Sequence, residues 1–278
     1  MRPATLAGCG AIALWAFLGL LSRAAAAIPP LQLTAMSFCV AALLGIFVLL
    51  ARGRLTDLRQ PPAAWLHGVG GLFGFHALYF AALSWAPAAQ ANLINYTWPL
   101  LIVLLSAPLL GLRLTWRHLL GTALGAAGCV LLLSGRAGLT AAAVPGYLAA
   151  ACSALVWALY SVLSRRFSAV PTGAVAGFCA ASAVLAAVSH FIFETTATPD
   201  VPGWLAVVVL GAGPVGGAFF LWDIGMKRGD PRLLGTLAYA TPVASTLLLC
   251  AGGYAAFSIA TLVSAALVAA GGLVAART

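Results

Sequence analysis

The sequence predicts an all-α polytopic membrane protein, with ten transmembrane helices arranged as two inverted five-helix repeats. Three observations carry this expectation. Of the 278 residues, 63% are hydrophobic and 7% charged, and the mean hydropathy is +1.06; a soluble domain carries roughly 25% charged residues. The apolar residues run on for about the thickness of a bilayer and do not alternate in ~10-residue segments, so helices fit and a β-barrel does not. The chain also repeats itself at a shift of about 142 residues. Five acids and fourteen bases cannot keep such a surface in water. A soluble enzyme, a nucleic-acid-binding module and a disordered chain are thereby excluded.

A membrane helix needs about 20 apolar residues, and ten such spans follow one another with short connections. The first covers residues 4–22. Leu6-Ala7-Gly8-Cys9 looks like a lipobox, but no apolar stretch precedes it; Ala24 to Ala27 looks like a cleavage site, but the segment before it belongs to the repeat and is expected to be retained. The second and third spans are 31–51 and 63–84, with Trp65 and Trp85 at the ends of the third, where an amphipathic ring suits the headgroup layer. The fourth, 87–110, contains Pro99. The fifth, 116–134, opens on Trp116. Gly68, Gly71 and Gly74 in the third, and Gly121, Gly125 and Gly128 in the fifth, are spaced for close helix contact. The sixth and seventh are 144–163 and 171–192. The eighth, 203–223, begins near Trp204 and holds Gly213-Pro214 with Gly216-Gly217, a candidate hinge. The ninth and tenth are 231–252, with Pro242, and 257–275. Cys9, Cys39, Cys129, Cys152, Cys179 and Cys250 all lie in apolar runs without a CxxC pair, and read as small packing residues.

Orientation follows from the bases. With the N-terminus in the cytoplasm, twelve of the fourteen fall on cytoplasmic segments, Arg2, Arg52, Arg54, Arg59, Arg113, Arg117, Arg165, Arg166, Lys227, Arg228, Arg232 and Arg277, leaving Arg23 and Arg136 outside. The positive-inside rule then places both termini in the cytoplasm. The net charge of +9 is a topology signal, and no nucleic-acid partner is expected.

The repeat is legible in short matches. Leu14-Trp15-Ala16 and Leu21-Ser22-Arg23 align with Val156-Trp157-Ala158 and Leu163-Ser164-Arg165, and Ile28-Pro29 with Val170-Pro171. Tyr96-Thr97-Trp98-Pro99 aligns with Tyr239-Ala240-Thr241-Pro242, and Ala126-Ala127-Gly128 with Ala269-Ala270-Gly271. The halves are residues 1–140 and 141–278, one integral membrane domain. Five spans is an odd number, so the second copy enters from the opposite side. Inverted repeats of this kind belong to alternating-access transporters, with substrate near the midplane between the halves.

Ten spans, two five-span halves and these motifs resemble the EamA branch of the drug/metabolite transporter superfamily over the whole chain. Within it, Asn95-Tyr96-Thr97-Trp98-Pro99-Leu100, Trp222-Asp223-Ile224-Gly225, Gly229 and Tyr239-Ala240-Thr241-Pro242-Val243 are similar to YddG-type aromatic amino acid exporters. Asp223 departs from the pattern, which has a neutral amide there. The resemblance implies an inner-membrane exporter of amino acids, aromatic or otherwise neutral, working by alternating access.

The candidate site is a set of rings and polar groups at depth. At 1.5 Å per residue, Tyr96 lies roughly 13 Å into its span. Trp98 follows, Tyr239 sits at the matching depth of the ninth span, and Trp15, Trp157 and Trp222 are also in spans. Indole and phenol groups need partners that lipid cannot supply, which a wet central cavity would. His76 and Tyr79 lie in the outer half of the third span, and Asn92 and Asn95 precede Tyr96. Pro99 and Pro242 each remove a backbone donor and mark matched discontinuities, with Pro214 a third. Asp223, at the cytoplasmic end of the eighth span, either pairs with Lys227 or Arg228 or holds a substrate ammonium at an inner gate. His67, His118 and His190 fall near span ends and are expected to be interfacial.

The absences are informative too. No carboxylate sits mid-membrane, so the embedded-Glu proton mechanism of small multidrug relatives is not expected. No HExxH, GxSxG or paired Asp is present, so neither an enzyme nor a metal or cofactor is expected. The alternatives are an EamA permease for another small metabolite, such as a nucleobase or thiol compound, and, remotely, a membrane sensor. The expected partners are a small-molecule substrate and the bilayer, with the chain monomeric.

Overall fold

Proline sets where the helices begin. Its fixed φ and missing N–H suit the first turn of a helix. In the computed structural model, which describes residues 2–133 and 141–277, α1 (Pro3–Trp15), α3 (Pro30–Ala51) and α4 (Pro62–Trp85) each start on one. Between them lies α2 (Leu18–Ala24). There follow α5 (Ala88–Asn95), α6 (Trp98–Leu110), α7 (Trp116–Leu133), α8 (Val144–Leu163), α9 (Ala174–Phe193), α10 (Val201–Ala212) and α11 (Ala218–Arg228). The chain closes with α12 (Pro231–Leu237), α13 (Ala240–Ala251) and α14 (Ile259–Ala276). Gly111 ends α6 at φ +66°, the left-handed conformation that favours glycine after a helix. Arg136 and the boundary at 140 lie outside the described residues.

The protein is an all-helical, multi-pass membrane protein. Among the described residues there is no strand, and nine helical segments are long and apolar enough to cross a membrane; Trp116–Leu132 is a shorter apolar helix. Phe47, Leu66, Phe191, Phe193 and Ile259 are exposed on the outside of the bundle, a surface that only lipid satisfies. Trp85, Trp116 and Trp204, expected at the interfaces, are also exposed. None of the six cysteines is paired.

Four spans differ from unbroken helices. The first is interrupted at Ala16–Phe17, where the Phe17 N–H bonds Leu14 O and the turn tightens. The fourth and ninth are interrupted at Tyr96–Thr97 and at Ala238–Tyr239, just before Pro99 and Pro242. Proline is thus accommodated in a new first turn, and the break falls ahead of it. In the eighth, Gly213–Gly217 forms a π turn carrying Pro214, a local irregularity common at functional sites. The matching stretches of the sixth and third spans, α8 and α4, are continuous, so the halves differ here.

Glycine sets the closest approaches. A Cβ on Gly121 would lie 2.6 Å from Gly271 O, joining α7 to α14. A Cβ on Gly71 would meet the Tyr160 ring, and one on Gly68 the Phe178 ring, joining α4 to α8 and α9. Gly8 and Gly225 bring α1 onto α11, and Gly45 brings α3 onto α9. With α7·α14, α3·α9, α4·α8 and α1·α11, these are the most extensive helix pairings.

Acids in two loops meet the starts of the paired helices α3 and α9. Glu194, after α9, accepts from the Leu31 and Gln32 N–H groups at the start of α3, at 2.9 and 3.1 Å, and from His190 Nδ1 at 2.8 Å. Carboxylate at a helix N-terminus satisfies orphan donors and complements the dipole. Asp57, after α3, lies against Gly173 just before α9. His118 and His190, each near the end of its span, are buried within the bundle. Each is held by a local bond, His118 Nδ1 accepting from Thr115 N–H and His190 pairing with Glu194.

Candidate functional site

Four tryptophans from four helices meet at the centre. Trp15 is the last residue of α1, directly before its break; Trp98 is the first of α6, directly after another. Trp157 comes from α8 and Trp222 from α11. All six pairs are in ring contact, with centroids from 5.0 Å (Trp15–Trp222) to 6.4 Å (Trp157–Trp222). Most are edge-to-face, the arrangement the ring quadrupole favours. None of the four is more than 6% exposed.

Phenylalanines widen this cluster. Phe219 touches Trp15 and Trp157, Phe75 lies 5.2 Å from Trp157, and Phe38 stacks on Phe219 at 5.9 Å. His76 joins the wall edge-on to Phe38 at 5.1 Å and to Phe75 at 5.1 Å. Its Nδ1 lies 2.7 Å from Leu72 O. A carbonyl only accepts, so the proton sits on Nδ1 and Nε2 of the neutral ring is an acceptor. Farther along α4, the Tyr79 hydroxyl donates to Asn92 Oδ1, and Tyr79 stacks parallel to Phe75.

The indole N–H groups divide two and two. Trp15 Nε1 donates to Pro214 O at 2.9 Å, a carbonyl of the π turn, and Trp222 Nε1 to Ser161 Oγ at 3.0 Å. Trp98 and Trp157 have no hydrogen-bond partner for Nε1 among the described residues. Neither nitrogen is among the buried, unpartnered polar atoms, so both N–H groups reach space that water or a bound molecule can enter.

The other predicted residues separate by role. Asn95 is buried and donates to Ser153 Oγ at 3.0 Å, which donates to Phe75 O at 3.1 Å, tying α5 to α8 and α4. Tyr239 is not brought to the tryptophans: it is buried against Gly125 and Cys129 between α7 and α14, with Tyr96 at the edge of that cluster. Pro99 O closes on Gly235 where α6 meets α12, and Pro242 is buried in the first turn of α13. Asp223 is buried and paired with Lys227 at 2.8 Å; Thr172 Oγ1 donates to its other oxygen at 2.7 Å, and Lys227 Nζ donates to Val170 O at 2.9 Å.

Sequence reasoning missed Phe38, Phe75, Phe219, Ser153 and Ser161. Phenylalanine and serine are ordinary in membrane helices, and only the fold says which of them face the centre. Among the described residues no three or more His, Cys, Asp or Glu gather as metal ligands.

Comparison with known proteins follows the same lines. The family model described as the EamA-like transporter family matches this chain twice, over residues 2–134 and 144–277. An aromatic amino acid exporter YddG of Ancylobacter novellus is 55% identical over 276 residues, 98% of this chain and 96% of that protein. An aromatic amino acid exporter YddG of Salmonella typhimurium is 26% identical, covering 89% of this chain and 87% of that one. A crystal structure superposes with a TM-score of 0.95 at 54% identity, covering 99% of this chain and 97% of that chain.

Proposed function

The chain belongs to the EamA-like transporter family, and from that premise we propose that it exports aromatic amino acids across the bacterial inner membrane. The observation that carries the substrate class is the central cluster of four tryptophans, two of them with open indole N–H groups. A flat ring stacks on such a wall, and Trp98 and Trp157 Nε1 donate to its carboxylate. His76 Nε2 and the Tyr79–Asn92 pair accept from its ammonium. The same substrate class is printed in the names of two relatives. No bond is made or broken in the substrate, and the protein needs no cofactor.

Alternating access rests on two inverted five-helix halves, ten spans in all, with both termini and most bases on the cytoplasmic side and the chain acting as a monomer. Three observations support this reading. The family model matches once in each half. The pairs α1·α11 and α4·α8 exchange places under the repeat, and α3·α9 and α7·α14 map onto themselves. Glu194 meets the start of α3 as Asp57 meets the start of α9. The near-complete burial of α12, against α2 which buries no residue, supports a conformation closed at the cytoplasmic end. In this reading the protein faces outward, with the tryptophans as the floor of its opening. Pro214 and the breaks before Pro99 and Pro242 are the points about which the halves rock.

The test is uptake of labelled phenylalanine and tryptophan into proteoliposomes, alongside a Trp98→Ala/Trp157→Ala variant. Saturable aromatic uptake that the variant loses, with its membrane insertion unchanged, is expected. Equal uptake by both proteins, or no aromatic uptake with a nucleobase carried instead, overturns the reading.

A further inference from the structure

A concave site lies where α11 ends and α12 begins, away from the aromatic cluster. It is a cavity of about 420 Å³ at the basic end of the bundle, walled by Arg2 and Thr5, by Arg165 after α8, by Asp230 before α12 and by Arg232 in its first turn, with Leu112 on an apolar side. Three guanidinium groups therefore face one carboxylate.

That carboxylate is already committed. Arg232 Nε and one terminal nitrogen donate to Asp230 at 3.1 and 2.9 Å, and its other terminal nitrogen donates to Arg113 O at 2.7 Å. Asp230 also caps α12 through the Arg232 and Leu233 N–H groups. Arg165 makes one long bond, 3.3 Å, to Gly229 O. Arg2 has no hydrogen bond or ion pair from its side chain among the described residues. Two cations that share a cavity and lack a counter-charge repel each other and favour an anion between them. Guanidinium forks match the paired oxygens of a phosphate, and the bonds are charge-assisted.

We infer that this cavity binds a phosphate group, held chiefly by Arg2 and Arg165. Arg2 and Thr5 belong to the first half of the chain, Arg165 and Asp230 to the second, and Asp230 N–H already bonds Thr5 Oγ1 across them at 3.2 Å. A bound phosphate therefore ties the two halves together at the end that is closed here, and it favours this conformation over the one open to the cytoplasm. The effect on conformation rests on the alternating-access reading, whereas the binding itself does not depend on which molecule is carried.

Two sources supply the same chemistry, an anionic phospholipid headgroup and a free phosphate, and the experiment separates them. The full chain is purified in detergent. Its thermal unfolding is followed during titration with inorganic phosphate, and native mass spectrometry counts adducts with phosphatidylglycerol and with phosphatidylcholine. Wild type is compared with Arg2→Ala, Arg165→Ala, the double variant, and an Arg52→Ala/Arg59→Ala control at the same end but outside the cavity. A saturable phosphate stabilisation weakened about tenfold by each cavity substitution supports the proposal with a free anion. Retained phosphatidylglycerol adducts, absent with phosphatidylcholine and lost in the double variant, support it with a lipid. No binding of either kind, or binding that the control reduces as much as the cavity variants do, overturns it.

Discussion

Replacing Lys227 by methionine isolates one member of the buried charge pair on α11. Asp223 and Lys227 sit one turn apart on α11 with side chains 4% and 5% exposed, joined at 2.8 Å. Each has one further partner, Thr172 Oγ1 for the carboxylate and Val170 O for the ammonium. Lys227→Met keeps the volume and the helix propensity but leaves a buried carboxylate with a single neutral donor. Breaking a buried pair from one side costs about 3–5 kcal/mol, because the remaining charge stays desolvated. At roughly 2–4 °C per kcal/mol for a chain of this size, the melting temperature should fall on the order of 10 °C. Asp223→Asn combined with Lys227→Met removes both charges and should recover to within about 1–2 kcal/mol of the parent. The assay is thermal unfolding of the detergent-purified proteins, followed by tryptophan emission. A single variant that melts within a couple of degrees of wild type would show the pair to be hydrated and refute the argument. So would a double variant as unstable as the single one, which would show that the cost lies in packing and not in charge.

Trp98→Phe keeps a ring but deletes one of the two open indole N–H groups; it should weaken binding of tryptophan about tenfold and binding of tryptamine, which lacks the carboxylate, little, as read by isothermal titration. Gly121→Ala places a methyl 2.6 Å from the Gly271 carbonyl, where backbone must move; it should destabilise by about 1–3 kcal/mol, seen as a lower melting temperature. Burial raises the pKa of Asp230, but its bonds from Arg232 and the α12 N–H groups outweigh this and hold the carboxyl below the ordinary carboxylate range. A native pKa below the unfolded one contributes stability at higher pH that is lost as pH falls through the native value. Asp230→Asn should therefore melt lower at neutral pH and lose stability less steeply on the acid side, measured as melting temperature against pH.

Composition alone determined that this chain lives in a bilayer, because a surface with 7% charged residues has no other solvent. The spans were legible from run length and the close pairings from glycine spacing, since each is a local property of backbone and volume. Trp15, Trp98, Trp157 and Trp222 could be named as rings at depth, but not as one cluster. Their meeting depends on breaks in α1–α2 and α5–α6 that bring Trp15 and Trp98 inward, and on four helices packed from both halves. The break at Ala16–Phe17 has no proline or glycine to announce it, and the repeat gives no warning, since α8 is unbroken at the matching place. Tyr239 shares the motif and depth of Tyr96, yet it is buried against Gly125. The tertiary structure decided which face of each helix looks inward, because rotation about a helix axis is set by neighbours and leaves no mark in an all-apolar sequence.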